Sequence, residues 1–379
     1  MSPAAANRLP WIDQLRTASI LLVVNMHACV TYSHVGDWYM MVEPEPAMTA
    51  KVPFIIWQSL LQSFFMGLLF FLAAYFATGS LARRGPGGFA RERLVRLGLP
   101  ALLYMLVIHP FILLVLNPWR HDFGPPAAYY LHYLLSGKFL GSSGPLWFAI
   151  ALLLFSLGLA AWPRRSPEVA PAAVGAPPSG RLLFSFALAL GLGSFAVRLV
   201  QPIGTNVLNL QLCFFVQYIG WFLAGLQAAR HGWLTTLAAS AQARAAGWLA
   251  LVGGPLALLA LLAFGANAGV GAFCGGLHWQ AFGLAVWEQL TGLGLAVGAL
   301  ALCSRRCNAD SPARRWLADR SFGVYVLHAP VLVALAMLFR DTLPYHLYGL
   351  VVLLTITGLV ASYLLAEIAR RIPGLRAIL

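Results

Sequence analysis

The sequence predicts an all-α polytopic membrane bundle of about ten transmembrane helices with both termini in the cytoplasm. Three observations predict it. First, 60% of the 379 residues are hydrophobic and only 10% are charged, whereas soluble domains carry about a quarter charged residues. Second, ten apolar runs, at 12–32, 54–78, 94–116, 144–162, 181–201, 210–229, 246–267, 280–302, 321–339 and 346–369, match the ~20 residues needed to cross a ~30 Å hydrocarbon core. Third, the charges alternate between runs. Twenty of the 25 Lys and Arg fall on one side, and only Lys51, Arg120, Lys138, Arg198 and Arg340 fall on or near the other. Basic residues stay in the cytoplasm, so this places both termini there, in a multi-pass membrane protein. The net charge of +13 is therefore topology, and a nucleic-acid partner is excluded.

The first run reads "LRTASILLVVNMHACV" from residue 15. It contains Arg16, Asn25 and His27 and lacks a small-residue cleavage site, so it reads as an uncleaved span rather than a signal peptide. Arg16 and His27 are eleven steps apart. At ~100° per residue this is three turns plus about 20°, so both share one face about 16 Å apart along the axis. Ionisable groups at membrane depth cost about 2.5–3.5 kcal/mol on insertion scales, and each needs a reason.

The third span opens with "RERLVRLGLP", where Arg93 and Arg96 stand one turn apart, preceded by Arg83, Arg84 and Arg91. Orientation accounts for some of these, but five guanidiniums in fourteen residues suit a phosphorylated cytoplasmic donor. The same span carries His109 before Pro110, readable as a structural imidazole at a kink or as a substrate contact. The fourth opens with "GPLWFA" (Gly144 to Ala149, including Trp147) and is followed by a Pro/Ala-rich linker, 163–180, expected to be flexible and cytoplasmic.

Arg198 ends the fifth span, where its long side chain can snorkel to the interface. Glu288 lies in the eighth span, either a catalytic group or the structural partner of a histidine or of Arg198. In the ninth, Ser321, Tyr325 and His328 fall at i, i+4 and i+7 on one helical face, suited to binding a polar group or to gluing helices. No internal repeat is visible, and residues 1–379 read as one membrane domain. The five cysteines (29, 213, 274, 303, 307) form neither a disulfide framework nor a metal-ligand spacing.

Several of these segments resemble the acyltransferase 3 family of integral membrane acyltransferases. They are the R-x10-H pattern from Arg16 to His27, the R-x-x-R pair Arg93 and Arg96, "GPLWFA", and "SFGVYVLHAPV" (Ser321 to Val331). "WIDQLR" and the "VTYSHVGDWY" loop are similar to the glucan succinyltransferase branch of that family. The resemblance implies transfer of an acetyl or succinyl group from cytoplasmic acyl-CoA to a hydroxyl of an extracytoplasmic carbohydrate or lipid, with no metal. It makes His27 the catalytic histidine, Arg16 its partner and Arg93 and Arg96 donor-binding residues. Glu288, Tyr325 or His328 would orient the imidazole. Acceptor recognition would fall to Trp147, Ser321, Tyr325, His109 and the outward loops 33–53 and 117–143. A proton-coupled carrier of a sugar or lipid is the alternative that buried His, Glu and Arg also suit. The lack of a repeat and the arginines clustered at one span edge speak against it.

Overall fold

The structure is a computed structural model, and it describes residues 9–116, 124–162 and 175–378. Arg8, Arg120, His121, Asp122, Arg164 and Arg165, and with them most of the linker, lie outside the described residues. Those that are described are all-helical apart from one isolated bridge between Val207 and Leu210. Among the described residues nine helices are long and apolar enough to cross a membrane. This is a multi-pass membrane protein.

Helix α1 spans Pro10–Ser33. Proline suits its first turn, where the missing N–H has no helical partner. The helix stops at His34, left-handed at φ 56°, whose N–H donates back to Val30. Helix α2 is a helical run from Met48 to Leu116, 69 residues long, and it contains both the second and the third predicted spans. Gly85, at φ +68°, breaks it in a conformation that only glycine adopts at no steric cost. Ser80 then donates to the Glu92 carboxylate at 3.2 Å, and Arg84 pairs with the same carboxylate at 3.3 Å. Twelve residues of straight helix would hold Ser80 and Glu92 about 18 Å apart, so the chain doubles back. The nine apolar helices thus supply the ten predicted crossings.

Helix α3 (Pro126–Leu135) lies in a loop, and α4 (Trp147–Ala161), α5 (Gly180–Arg198) and α6 (Phe215–His231) follow. Next come the short α7 (Trp233–Ala239), α8 (Ala241–Gly265), α9 (Trp279–Arg306), α10 (Pro312–Thr342) and α11 (Leu347–Ala369). Ser179, Ser240 and Ser311 start α5, α8 and α10 by accepting the N–H groups of Leu182, Ala243 and Arg314, which satisfies otherwise orphaned donors. In α9 and α1, 67% and 61% of the apolar stretch is buried, against 22% in α5 and α8. The centre of the bundle is therefore α1, α9 and α10, and α5 and α8 face lipid.

The returning arm of α2 departs from α-helical pairing at Leu94–Gly98, Tyr104–Ile108 and Ile112–Leu116, each closing hydrogen bonds at i+5. The N–H of His109 reaches back to Tyr104 rather than Met105, which frees the Met105 carbonyl. Pro110 has no N–H, which frees the carbonyl of Leu106 four residues earlier. Tyr133 of α3 donates to the first at 2.5 Å and Tyr130 to the second at 2.9 Å. Unpaired carbonyls are costly at membrane depth, and they dock the loop helix here.

Arg198 does not snorkel. It is fully buried and donates through Nη2 to Glu288 of α9 at 2.5 Å, with its guanidinium 5.3 Å from the Phe214 ring. A cation sealed inside the bundle requires a counter-charge, and Glu288 supplies it.

Two outcomes are expected. Tyr130→Phe with Tyr133→Phe should loosen α3, at about 1 kcal/mol per lost bond, seen as faster amide exchange confined to residues 126–135. Glu288→Ala should cost about 3–5 kcal/mol by orphaning a buried cation. Arg198→Met with Glu288→Leu should restore folded yield, measured by thermal loss of monodisperse protein in detergent.

Candidate active site

His27 stands eleven residues beyond Arg16 on the unbroken α1, and His328 stands on α10, which packs against it. The two rings meet edge to edge, with His27 Nδ1 2.9 Å from His328 Nε2, centroids 5.0 Å apart and planes within 14°. His328 Nδ1 lies 2.8 Å from the Tyr325 carbonyl oxygen. A carbonyl only accepts, so His328 Nδ1 carries the proton. In a neutral ring its Nε2 is then a bare acceptor, and His27 Nδ1–H must donate to it. The proton of a neutral His27 is thereby used up, and its Nε2 keeps a free lone pair. His328 is fully buried, whereas His27 is only partly buried.

Trp38, from the loop after α1, stacks on His27 with centroids 3.8 Å apart and planes within 11°. The loop is pinned beside it. Val42 N donates to Thr31 O at 2.8 Å, His34 Nε2 donates to Val42 O at 3.0 Å, and Lys51 pairs with Glu45. The next residue, Tyr39, bonds His109 Nδ1 at 2.7 Å and accepts from the Tyr104 hydroxyl at 3.0 Å. Tyr104 gives its proton to Tyr39, which leaves the Tyr39 proton available for His109 Nδ1. In an α-helix residues 104 and 109 would point about 140° apart; the i+5 closure narrows that angle, and both reach Tyr39. Burial pushes the Tyr39 phenol up, and that of Tyr133 up to about 12. Both hydroxyls remain donors at neutral pH.

The "GPLWFA" segment closes this cluster. Gly144 has φ +50°, and a Cβ there would fall 2.6 Å from the Tyr39 hydroxyl and 2.7 Å from that of Tyr104. Asn209 holds the turn by donating to Ser143 Oγ at 2.9 Å and to Gly144 O at 2.8 Å. Tyr325 donates its hydroxyl to the Pro145 carbonyl, so its phenol joins α10 to the turn while its carbonyl fixes His328. Trp147 faces away from this closure and stacks on Tyr218, centroids 5.3 Å apart.

Toward the arginine-rich end, the Arg16 guanidinium lies 4.7 Å from the Phe76 ring, with Asp13 and Arg93 within electrostatic reach. Arg93 sits 4.9 Å from the Phe89 ring, and its buried Nε has no partner among the described residues. Arg96 turns outward to Glu92 at 3.4 Å. Of the R-x-x-R pair, then, Arg93 alone faces Arg16. Ser321 spends its hydroxyl on Ala318 O of its own helix at 2.8 Å, and Glu288 belongs to Arg198 rather than to the imidazoles. Among the described residues no group of three or more His, Cys, Asp or Glu is placed to hold a metal.

This geometry agrees with the comparison to known families, in which an acyltransferase domain, that of acyltransferase 3, matches residues 9–367. The chain belongs to the acyltransferase 3 family. No curated protein and no solved structure shows significant similarity to it. As a member of this family the chain is a membrane-embedded protein whose fold accords with acyl-group transfer. Sequence reasoning missed Trp38, Tyr39 and Tyr104 around the imidazole pair. The "DWY" of the first loop was the available signal, an aromatic pair with no periodicity to say where it points.

We expect Gly144→Ala to push Tyr39 and Tyr104 apart and to loosen the first loop. The measurement is faster proteolysis of residues 34–47 in the variant, with the overall helix content unchanged.

Proposed function

We propose that this protein moves an acyl group from acyl-CoA, acetyl-CoA or succinyl-CoA, to a hydroxyl of an extracytoplasmic carbohydrate or lipid. The observation that carries this reading is the paired imidazoles, which leave a bare Nε2 on His27, the less buried residue of the two. His27 Nε2 takes the proton of the acceptor hydroxyl while that oxygen attacks the thioester carbonyl carbon. The carbon–sulfur bond then breaks, and the thiolate leaves with the proton from His27 as a thiol. During the step the His27 cation keeps its Nδ1–H bonded to His328 Nε2, which stabilises the charge without moving the ring. Trp38 holds the other dimension of the ring by stacking on its face.

The donor enters from the arginine-rich side. Arg16 and Arg93, two neighbouring guanidiniums with aromatic backing, suit its phosphates. The pantetheine arm then runs along α1, over the roughly 16 Å that helical rise puts between Arg16 and His27. The acceptor approaches from the opposite end, where the partly exposed Tyr39 and His109 present a phenol and an imidazole of the kind that bind sugar hydroxyls, and the fully buried Tyr104 holds Tyr39 from behind. Trp147, Ser321 and Tyr325 play supporting parts here: their polar or aromatic groups are engaged inside the protein. Glu288 acts as counter-ion to Arg198. The glucan succinyltransferase resemblance of "WIDQLR" favours succinyl as the group transferred and the inner membrane as the location.

The test is thiol release from acetyl-CoA and from succinyl-CoA by protein in lipid, with a mixture of envelope carbohydrates as acceptor. His27→Ala should lower the rate by about 10²–10⁴-fold with folded yield unchanged, and full activity in that variant rejects the mechanism. His328→Gln, which can accept from His27 but cannot share its charge, should retain more activity than His328→Ala.

A further inference from the structure

At the arginine-rich end of the bundle a cleft of about 530 Å³ is lined by Arg320, Glu367, Arg370, Arg371, Arg376 and a turn through Gly374. Three separate elements supply its guanidiniums. Arg320 comes from α10, Arg370 and Arg371 from the end of α11, and Arg376 from the short 3-10 turn Leu375–Ala377. Gly374, at φ +89°, bends the chain so that this last turn follows directly on the end of α11.

Three of the four guanidiniums have partners. Arg320 lies 4.5 Å over the Trp316 ring, donates to the Trp316 carbonyl at 3.1 Å and pairs with Glu367. Arg370 donates to the Asp319 carbonyl at 2.7 Å, and Arg371 reaches Glu367 at 3.4 Å. Orientation in a membrane requires positive charge near helix ends but places no demand on its shape. Here four guanidiniums from three elements line one concavity, with a single carboxylate, that of Glu367, among the described residues that line it. Like charges held this close repel one another, and an anion shared between them relieves the repulsion.

We propose that this cleft is a binding site for a phosphate-bearing anion, a phosphomonoester or diphosphate. Planar guanidiniums match phosphate oxygens two at a time, and the volume is within the range of pockets that take small molecules. Two sources carry this chemistry, the phosphates of a soluble nucleotide and the headgroup of an anionic phospholipid. The proposal does not depend on acyl transfer, and it concerns residues outside the imidazole site.

The experiment uses the full chain in nanodiscs. In discs of phosphatidylcholine alone, pyrophosphate and adenosine 3′,5′-bisphosphate are titrated calorimetrically. In discs containing phosphatidylglycerol, lipid retained by the protein is counted by native mass spectrometry. Arg371→Gln with Arg376→Gln is compared with a control of equal charge loss, Arg181→Gln with Arg230→Gln, at exposed positions outside the cleft lining. Binding about tenfold or more weaker in the cleft variant, and unchanged in the control, supports the site. A loss seen with the soluble probes identifies a nucleotide-type ligand, and a loss seen only as released phosphatidylglycerol identifies a headgroup. If the cleft variant matches the wild type in both arms, or the control loses as much, the proposal is wrong.

Discussion

A neutral imidazole inside a membrane bundle has one N–H to give and one lone pair to offer, and lipid provides a partner for neither. In this protein His27 and His328 solve the problem for each other, with the Tyr325 carbonyl as the end of the chain. Much else follows from that bond. It ties α1 to α10 at the centre of the bundle. It dictates which nitrogen of each ring is protonated and which faces outward. It also explains why Tyr325 matters twice, with its carbonyl orienting the imidazole and its hydroxyl joining α10 to the turn before α4. Proteins with a buried polar pair of this kind gain specificity of arrangement more than stability, because each partner left alone is penalised.

The second organising feature is the returning arm of α2, which is not a regular helix. Its i+5 closures and its proline release carbonyls that a regular helix would consume, and the phenols of α3 take them. The same irregularity brings Tyr104 and His109 toward one side of the arm, so that one loop residue, Tyr39, bonds both. Departures of this type recur at functional sites. Here the local cost of the wider turn is offset by docking a loop helix and by assembling the aromatic wall beside His27.

Charge is handled differently at the two ends and in the middle. Arg198 and Glu288 neutralise one another where no water reaches, and they stay out of the imidazole site. Arg16 and Arg93 lie together at the arginine-rich end of α1 on aromatic faces, whereas Arg96, three residues on, turns out to a carboxylate. One sequence motif thus splits into a buried group and an exposed one.

Much of this was legible in the residues themselves. The ten crossings, the side that carries the arginines and the shared face of Arg16 and His27 follow from composition and from helical periodicity, both local properties that survive any packing. The pairing of distant polar groups was not legible. Nothing in the order of residues says that the Glu288 carboxylate meets Arg198 rather than an imidazole, that His328 meets His27 across 301 positions, or that Trp38 and Tyr39 fold back from a loop onto the site. Those outcomes belong to the tertiary structure, because a polar side chain in lipid bonds to whichever group the packed helices bring within 3 Å or so, and the packing of helices is a property of the whole bundle. The sequence by itself determined a membrane acyltransferase-like chain with its histidine and arginines in register; only the folded bundle decided which of its buried groups are partners and which nitrogen is left open.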